Sequence, residues 1–473
     1  MGPRVSPSGR ATAYLTPEDR VDVGRQARAA VKRSAHGGWT PAAGRDPLGI
    51  LEEQARGREQ SLIPIRYGRM AASPFAFYRG AAAVMAADLA GAPRTSLTVQ
   101  LCGDAHLVNF GGFASPERDL LFDVNDFDET LPGPFEWDVK RLVASIEIAA
   151  RSRSFTDAER SRIVGGACRQ YRLAMAEFAG MLNLNIWYAK LDSAAILDRW
   201  GTEAGAGAIK SFTRVAAKAE TRDRLKAAAK LTHEVDGELR FLSDPPLLVP
   251  VEDLFSDADA WKVEDTVRGS LRAYRRTLQG DRRHLLETYR YAHLARKVVG
   301  VGSVGTRCWV ALFIGRDEQD PLLLQVKEAD ASVLEAHLGR SRFTNHGQRV
   351  VEGQRLMQAA SDVLLGWHRT EGADGVARDF YMRQLWDWKA SADVDTMTPE
   401  ILGIYGEMCA WTLARGHARS GDAIAVSSYL GSGESFDKAL AAFAGSYADQ
   451  NDLDHRSLVD AIAAGTITAD PVR

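Results

Sequence analysis

Two short stretches carry residue types that could move a phosphoryl group. In Gly103-Asp104-Ala105-His106-Leu107-Val108-Asn109 a carboxylate and an amide stand five residues apart. Phosphoryl transfer needs a carboxylate to orient and deprotonate the attacking hydroxyl, and oxygen ligands to hold magnesium against the phosphates. Asp104 would supply the first and Asn109 part of the second. A turn in which Asp104 merely caps the local backbone uses the same residue types. Sixteen residues beyond Asn109 comes Asn125-Asp126-Phe127-Asp128-Glu129, directly after the strand-like run 119–124. Carboxylates crowded at a strand end are costly unless a cation neutralises them. Asp126 is therefore the natural magnesium ligand alongside Asn109, with Asp128 and Asp123 as rivals for the acidic position.

A third stretch could hold the phosphates. Val299-Gly300-Val301-Gly302-Ser303-Val304-Gly305 has the spacing G-x-G-x-x-G, in which bare backbone N–H groups can face phosphate oxygens. The spacing alone fits a dinucleotide fingerprint as well, but that fingerprint opens a helix. Here Cys308–Ile314 (CWVALFI) continues as a strand, which favours the hairpin of a kinase-type phosphate clamp. The next apolar run ends in Val326-Lys327, so Lys327 is the expected ligand of the α- and β-phosphates. Such a lysine needs a carboxylate from the following helix. Glu352, twenty-five residues on, shares a helix stripe with Gln348, Arg355 and Ala359, and Glu328 and Glu335 are alternatives. The nucleotide contacts expected are thus Gly300, Gly302, Ser303, Gly305 and Lys327, with backbone groups of Arg383, Gln384 and Leu385 facing the adenine.

The elements that must position these groups fall into two textures. Helical periodicity dominates 48–89, 139–285 and 399–464, with a start signal at Ser73-Pro74. Strands are predicted over 96–102 and 119–124, then over 296–301, 308–314, 322–328 and 380–385, the second group enclosing a helix at 348–363. Residues 1–45, rich in Arg, Gly, Pro and Ala, read as loosely ordered with one helix near 21–32. No fixed-period repeat is visible.

Composition sets the outer bounds. With 45% hydrophobic and 26% charged residues, 473 residues can bury a sizeable core, in roughly two or three folding units. A net charge of −3 supplies no field to draw in nucleic acid or an acidic membrane. The four cysteines are scattered and form no C-x-x-C pair, which suits a reducing, cytoplasmic compartment rather than a disulfide framework. The sequence has neither a long apolar run nor the apolar core of a signal peptide.

The catalytic-loop and acidic stretches resemble the aminoglycoside-phosphotransferase and choline-kinase branch of the protein-kinase-like superfamily, in which a G-D-x-H-x-x-N loop precedes a strand and an Asp-aromatic pair. Phe135-Glu136-Trp137-Asp138-Val139 stands where that branch has an Asp-Leu at a helix start, and Cys102 replaces its usual His. The resemblance implies ATP and magnesium as cofactors and a hydroxyl acceptor, a small molecule rather than a protein. The parts occur in permuted order. The expected fold is α+β: a protein-kinase-like two-lobe fold, circularly permuted. Its parts would be a flexible segment 1–45, a helical catalytic part 46–290, a β-rich nucleotide clamp 291–390, and closing helices 391–473. Over about 62–458 the chain also resembles the bacterial domain of unknown function 2252 family. The carriers are Arg69-Met70, Ser73-Pro74-Phe75, Gly103–His106, Asn125–Glu129, Gly353-Gln354-Arg355, Arg383-Gln384-Leu385 and His417–Asp422.

The leading expectation is phosphotransfer from ATP. A kinase-fold nucleotidyltransferase, with the nucleotide reversed, would use the same residues. A non-catalytic nucleotide-binding or interaction module would be expected to lose Asp104, Asn109, Asp126 or Lys327, all of which are present. A Rossmann-type oxidoreductase would need a helix after Gly305. His417–Asp422 reads either as a second catalytic element or as a capped helix end, and Arg66, Arg69 and Arg79 read as solvated surface rather than as anion ligands.

Overall fold

The computed structural model describes residues 15–221, 223–255, 260–372, 374–385 and 387–470. Four short strands come first, β1 (Thr98–Leu101), β2 (Phe110–Ala114), β3 (Leu120–Val124) and β4 (Leu131–Pro134). The hairpin β5 (Thr232–Val235) and β6 (Glu238–Phe241) and the short β7 (Leu248–Pro250) precede a meander of β8 (Arg290–Lys297), β9 (Cys308–Ile314) and β10 (Pro321–Glu328). Then come β11 (Gly366–Glu371), β12 (Ala377–Gln384) and β13 (Ala390–Ser391). The principal sheet is antiparallel, in the order β11-β12-β10-β9-β8-β7, and small sheets pair β1 with β4, and β13 with β2 and β3. The molecule is thus a mixed α+β protein with several antiparallel sheets.

Alternation along β9 explains why the main sheet is covered on both sides. Val310, Leu312 and Ile314 join Leu323 and Ala228 in one apolar cluster. Ala311 and Phe313 join Tyr274, Leu278, Leu324 and Met382 in another, under the helix Ala260–Arg275. The largest core lies away from this sheet, where the helices Glu136–Ser152, Asp157–Ala179, Pro399–Ser420 and Ser435–Ala463 pack together. Glu136–Ser152 is buried around most of its circumference, so its polar residues must find partners inside the protein.

Several elements depart from the sequence reading. The helix expected near 21–32 runs earlier, over Pro17–Ala30, started by a Thr16/Asp19 capping box, and it is tied down where Arg28 Nε donates to the Tyr429 carbonyl; residues 1–14 lie outside the described residues. The strand expected at 296–301 ends earlier, at Lys297, and the glycine-rich residues form the loop 298–307 between β8 and β9. The helical stretch expected to 285 is two helices, Ala260–Arg275 and Gly280–Glu287. Strands β2, β4 to β7, β11 and β13 were not expected, because each is short and, in β2 and β4, glycine-bearing. Among the described residues no helix is long and apolar enough to cross a membrane.

Candidate active-site cleft

The Asp104 loop is held by one stripe of the helix Glu136–Ser152. Asp138, Arg141 and Ser145 recur at three- and four-residue spacing and so share a face. Asp138 Oδ2 accepts from the Cys102 amide at 2.8 Å and Oδ1 from the Gly103 amide at 3.0 Å. Arg141 donates to Asp104 Oδ1 from Nε at 2.8 Å, and its Nη2, which donates to the Tyr78 carbonyl, lies 2.7 Å from the same Asp104 oxygen in an ion pair. Ser145 Oγ accepts from the Leu107 amide at 3.1 Å. Gly103 is required at the bend: its φ is +85°, and a Cβ there would sit 2.2 Å from the Glu129 carbonyl oxygen. Asn109 Nδ2 donates to the Asp104 carbonyl at 2.8 Å, which turns its amide oxygen away from that bond. Burial pushes the Asp104 carboxyl up, while Arg141 pulls the other way.

The acidic run faces the main sheet. Lys327 on β10 lies opposite Tyr381 on β12, so both side chains leave the same face. Lys327 Nζ forms a short ion pair with Asp128 and lies 3.9 Å from Asp126 Oδ2; Tyr381 donates to Asp128 Oδ1 at 2.9 Å. Two residues along that face, Arg383 donates to the Asn125 carbonyl at 2.9 Å. Arg349, from the helix His346–Met357, ties the Asp128, Thr130 and Asp330 carbonyls together at 2.7–2.8 Å. Burial opposes a charged Lys327, yet Asp126 and Asp128 hold its ammonium well above the usual range. Burial and then Asp128 push the Asp126 carboxyl up, whereas against burial Lys327 and Tyr381 hold Asp128 down. Burial lifts Glu129 to about 7.

The glycine-rich loop is clasped from the N-terminal side of the chain. Arg58 donates to the Gly302 and Val304 carbonyls at 2.6 Å, Arg69 to the Gly300 carbonyl at 2.6 Å, and the Glu59 amide to the Gly305 carbonyl at 2.7 Å. The loop then forms a common wall of two adjoining cavities. One, of about 190 Å3, is lined by Asp104, Asn109, Asp126, Asp128, Gly300, Gly302 and Ser303. The other, of about 280 Å3, is lined by Asp126, Gly300, Ser303, Lys327 and the residues Arg383, Gln384 and Leu385. Asp126, Gly300 and Ser303 belong to both.

Twelve of the thirteen residues expected from sequence are brought to this cleft or its loop. Gly305 lies at the far end of the loop, against Arg58 and Ile63. Glu352 is not brought in. Its carboxylate pairs with Arg355 at 3.2 Å, and the carboxylate that meets Lys327 is Asp128. The alternatives are also engaged elsewhere: Glu328 with Arg307 and Arg378, Glu335 near His346 and Arg349. Of the backbone groups of Arg383, Gln384 and Leu385 expected to face the adenine, two amides have partners within the protein. The Gln384 amide donates to Asp362 Oδ2 at 2.6 Å and the Leu385 amide to the Leu323 carbonyl at 3.0 Å. Asp123 is withdrawn as a metal ligand, because Arg415 holds it in a fully buried ion pair at 2.6 Å and two backbone amides cap its oxygens.

The segment His417–Asp422 supports the loop from behind. His417 bridges Tyr171, at 2.8 Å, and Asp138 Oδ2, at 3.3 Å, and Asp422 caps the helix Ala423–Leu430 by accepting from the Ala425 amide. Of the arginines expected at the surface, Arg66 is instead fully buried, bonded to Gln54 and the Gly80 carbonyl. Sequence reasoning missed Arg141 and Tyr381. The i, i+3 spacing from Asp138 could have signalled the first; strand register, invisible in sequence, was needed for the second.

The donor set fits a magnesium ion shared with phosphate. Among the described residues no group of three or more His, Cys, Asp or Glu side chains forms a metal cage. One or two carboxylates with an amide oxygen is the kind of partial shell that magnesium completes with phosphate and water. The Asp126 carboxyl, pushed up by burial and by Asp128, would be relieved by such a cation.

An α+β protein with an acidic loop, a buried lysine and a glycine-rich hairpin facing one cleft is the class that fold and site define. The chain belongs to the bacterial family DUF2252, described as an uncharacterized protein conserved in bacteria, which matches residues 58–461. No curated protein and no solved structure matched the chain.

Proposed function

We propose that this chain is an ATP- and magnesium-dependent phosphotransferase, built as a circularly permuted protein-kinase-like fold, that acts on a hydroxyl group of a small molecule. The observation that carries the reading is the meeting of Lys327 with Asp126 and Asp128. These residues are about 200 positions apart, yet they close on one another in the cleft that also holds Asp104, Asn109 and the glycine-rich loop. The order of parts supports it: a glycine-rich turn between the first two strands of a meander, a lysine on the third, then a helix and two further strands. In this chain the catalytic loop and acidic run precede that series instead of following it.

The chemistry follows from the positions of the charges. The 280 Å3 cavity takes the nucleoside, with Lys327 at its inner wall for the α- and β-phosphates. Arg141 occupies Asp104 Oδ1, which leaves Oδ2 to accept the proton of the attacking hydroxyl. Asp126 and Asn109 would hold magnesium, which when bound neutralises charge developing on the phosphates. Asp128, fixed by Tyr381, takes the place of a helix-borne glutamate as the partner of Lys327.

The test is product analysis with magnesium-ATP and a pool of hydroxyl-bearing metabolites. Release of ADP, lost in Asp104→Asn while nucleotide binding persists, supports phosphotransfer. Pyrophosphate release would replace it with nucleotidyl transfer, and binding without either product would leave a binding module.

A further inference from the structure

Four arginines, Arg58, Arg66, Arg69 and Arg79, lie in the chain that precedes β1, and Arg58 and Arg79 line the cleft. Three are committed. Arg58 and Arg69 hold carbonyls of the glycine-rich loop, and Arg66 holds Gln54 and the Gly80 carbonyl. Arg79 differs. Its backbone touches the loop, since a Cβ on Gly302 would lie 3.1 Å from the Arg79 carbonyl oxygen. Arg79 lines the 190 Å3 cavity together with Asp104, Asn109 and Gly302. Among the described residues its Nε is shielded from solvent without finding an acceptor. The nearby carboxylate Asp104 is already held by Arg141 in a hydrogen bond and ion pair at Oδ1.

Arg79 thus brings to the catalytic end of the cleft a guanidinium fork whose buried Nε has no acceptor. Such a fork matches the oxygens of a phosphoryl group, and an N–H group buried without an acceptor is stabilised when an anion supplies one. We propose that Arg79 binds the terminal phosphate of the nucleotide, the group that is transferred. This rests on the nucleotide reading above and assigns the polarity of the ligand: nucleoside towards Gln384 and Leu385, terminal phosphate towards Arg79. Burial depresses the Arg79 pKa and Asp104 and Asp395 raise it, and the group stays charged at neutral pH.

Calorimetry of the full chain with magnesium-ATP and magnesium-ADP tests this. Wild type should bind ATP more tightly than ADP. Arg79→Ala should weaken ATP by about tenfold or more and leave ADP unchanged, removing the preference. Arg79→Lys, which keeps the charge, should restore part of it. Arg69→Ala, which loosens the loop, should weaken both nucleotides alike. Equal losses of ATP and ADP in Arg79→Ala, or no loss of either in a folded variant, would overturn the assignment. Wild type that binds neither nucleotide would overturn the underlying reading and this assignment with it.

Discussion

The wall of the cleft that carries Asp104 is assembled from residues 95–145, a single stretch of chain, with Glu136, Asp138, Arg141 and Ser145 of one helix holding Thr95, Cys102, Gly103, Asp104 and Leu107. The opposite wall draws on Arg58 and Arg69, the loop 298–307, Lys327, Arg349, and Tyr381 with Arg383. Both walls are stitched by charged groups to backbone carbonyls and amides. The difference is sequence separation. The first wall closes most of its loop bonds within its own segment, with His417 added from a distance, whereas the second exists only when several distant segments have met. The second is therefore the wall expected to open locally and to be ordered by ligand.

The comparison breaks first at Asp138. Asp138→Ala leaves the Cys102 and Gly103 amides and His417 without their acceptor in a buried setting, and should lower stability by about 3 kcal/mol. Urea unfolding measures it, and a loss below about 1 kcal/mol would mean the first wall does not depend on this helix.

On the second wall the corresponding change is Lys327→Met, which leaves Asp128 without its cation. The side chain of Asp128 is 26% exposed, so the cost should be smaller, about 2 kcal/mol at neutral pH. Asp128 is held low in the folded state, so its contribution is present above the ordinary carboxylate pKa and is lost as pH falls through the lower folded value. The stability gap between wild type and variant should accordingly close below about pH 4. A gap independent of pH would show that Asp128 is not the partner that matters.

Glu129, at the junction of the two walls, titrates the other way. Its folded pKa is raised to about 7, so the stability it gives is full below the ordinary glutamate range and is lost as pH rises through 7. Glu129→Gln should therefore match wild type near pH 4 and exceed it by about 1 kcal/mol at pH 8. The two thermal-unfolding profiles running parallel would contradict this. The smallest effect is expected from Arg69→Ala, which removes one bond to the Gly300 carbonyl. It should cost about 1 kcal/mol or less and speed amide hydrogen exchange in 298–307 without changing exchange in 102–107.

The same contrast decides what could be read from sequence. The Asp104 loop, β1, β3 and Asp126 were legible because spacing within one segment fixes them, and the hairpin around Gly300–Gly305 was legible because glycines between two apolar runs leave few alternatives. The partner of Lys327 was not. Glu352 sits on the expected helix, but that helix turns Arg349 towards the acidic run and leaves Glu352 beside Arg355. Helical periodicity says which residues share a stripe, and it does not say which stripe faces the sheet. Strand register was equally hidden: opposition of Lys327 to Tyr381, and of Gln325 to Arg383, depends on pairing across more than fifty residues. Arg66, Arg69 and Arg79 read as surface because arginine usually is; Arg66 finds Gln54 and the Gly80 carbonyl, and only the arrival of the glycine-rich loop gives Arg69 a carbonyl to hold.

The central claim is that the cleft between these walls binds magnesium and nucleotide together. Calorimetric titration of ATP into wild type and Lys327→Ala, each with and without magnesium, tests it most directly. The account predicts magnesium-dependent binding in wild type, weakened about tenfold or more by the substitution. A folded wild-type chain that takes up no ATP at millimolar concentration, or binds it equally without magnesium and without Lys327, would contradict it.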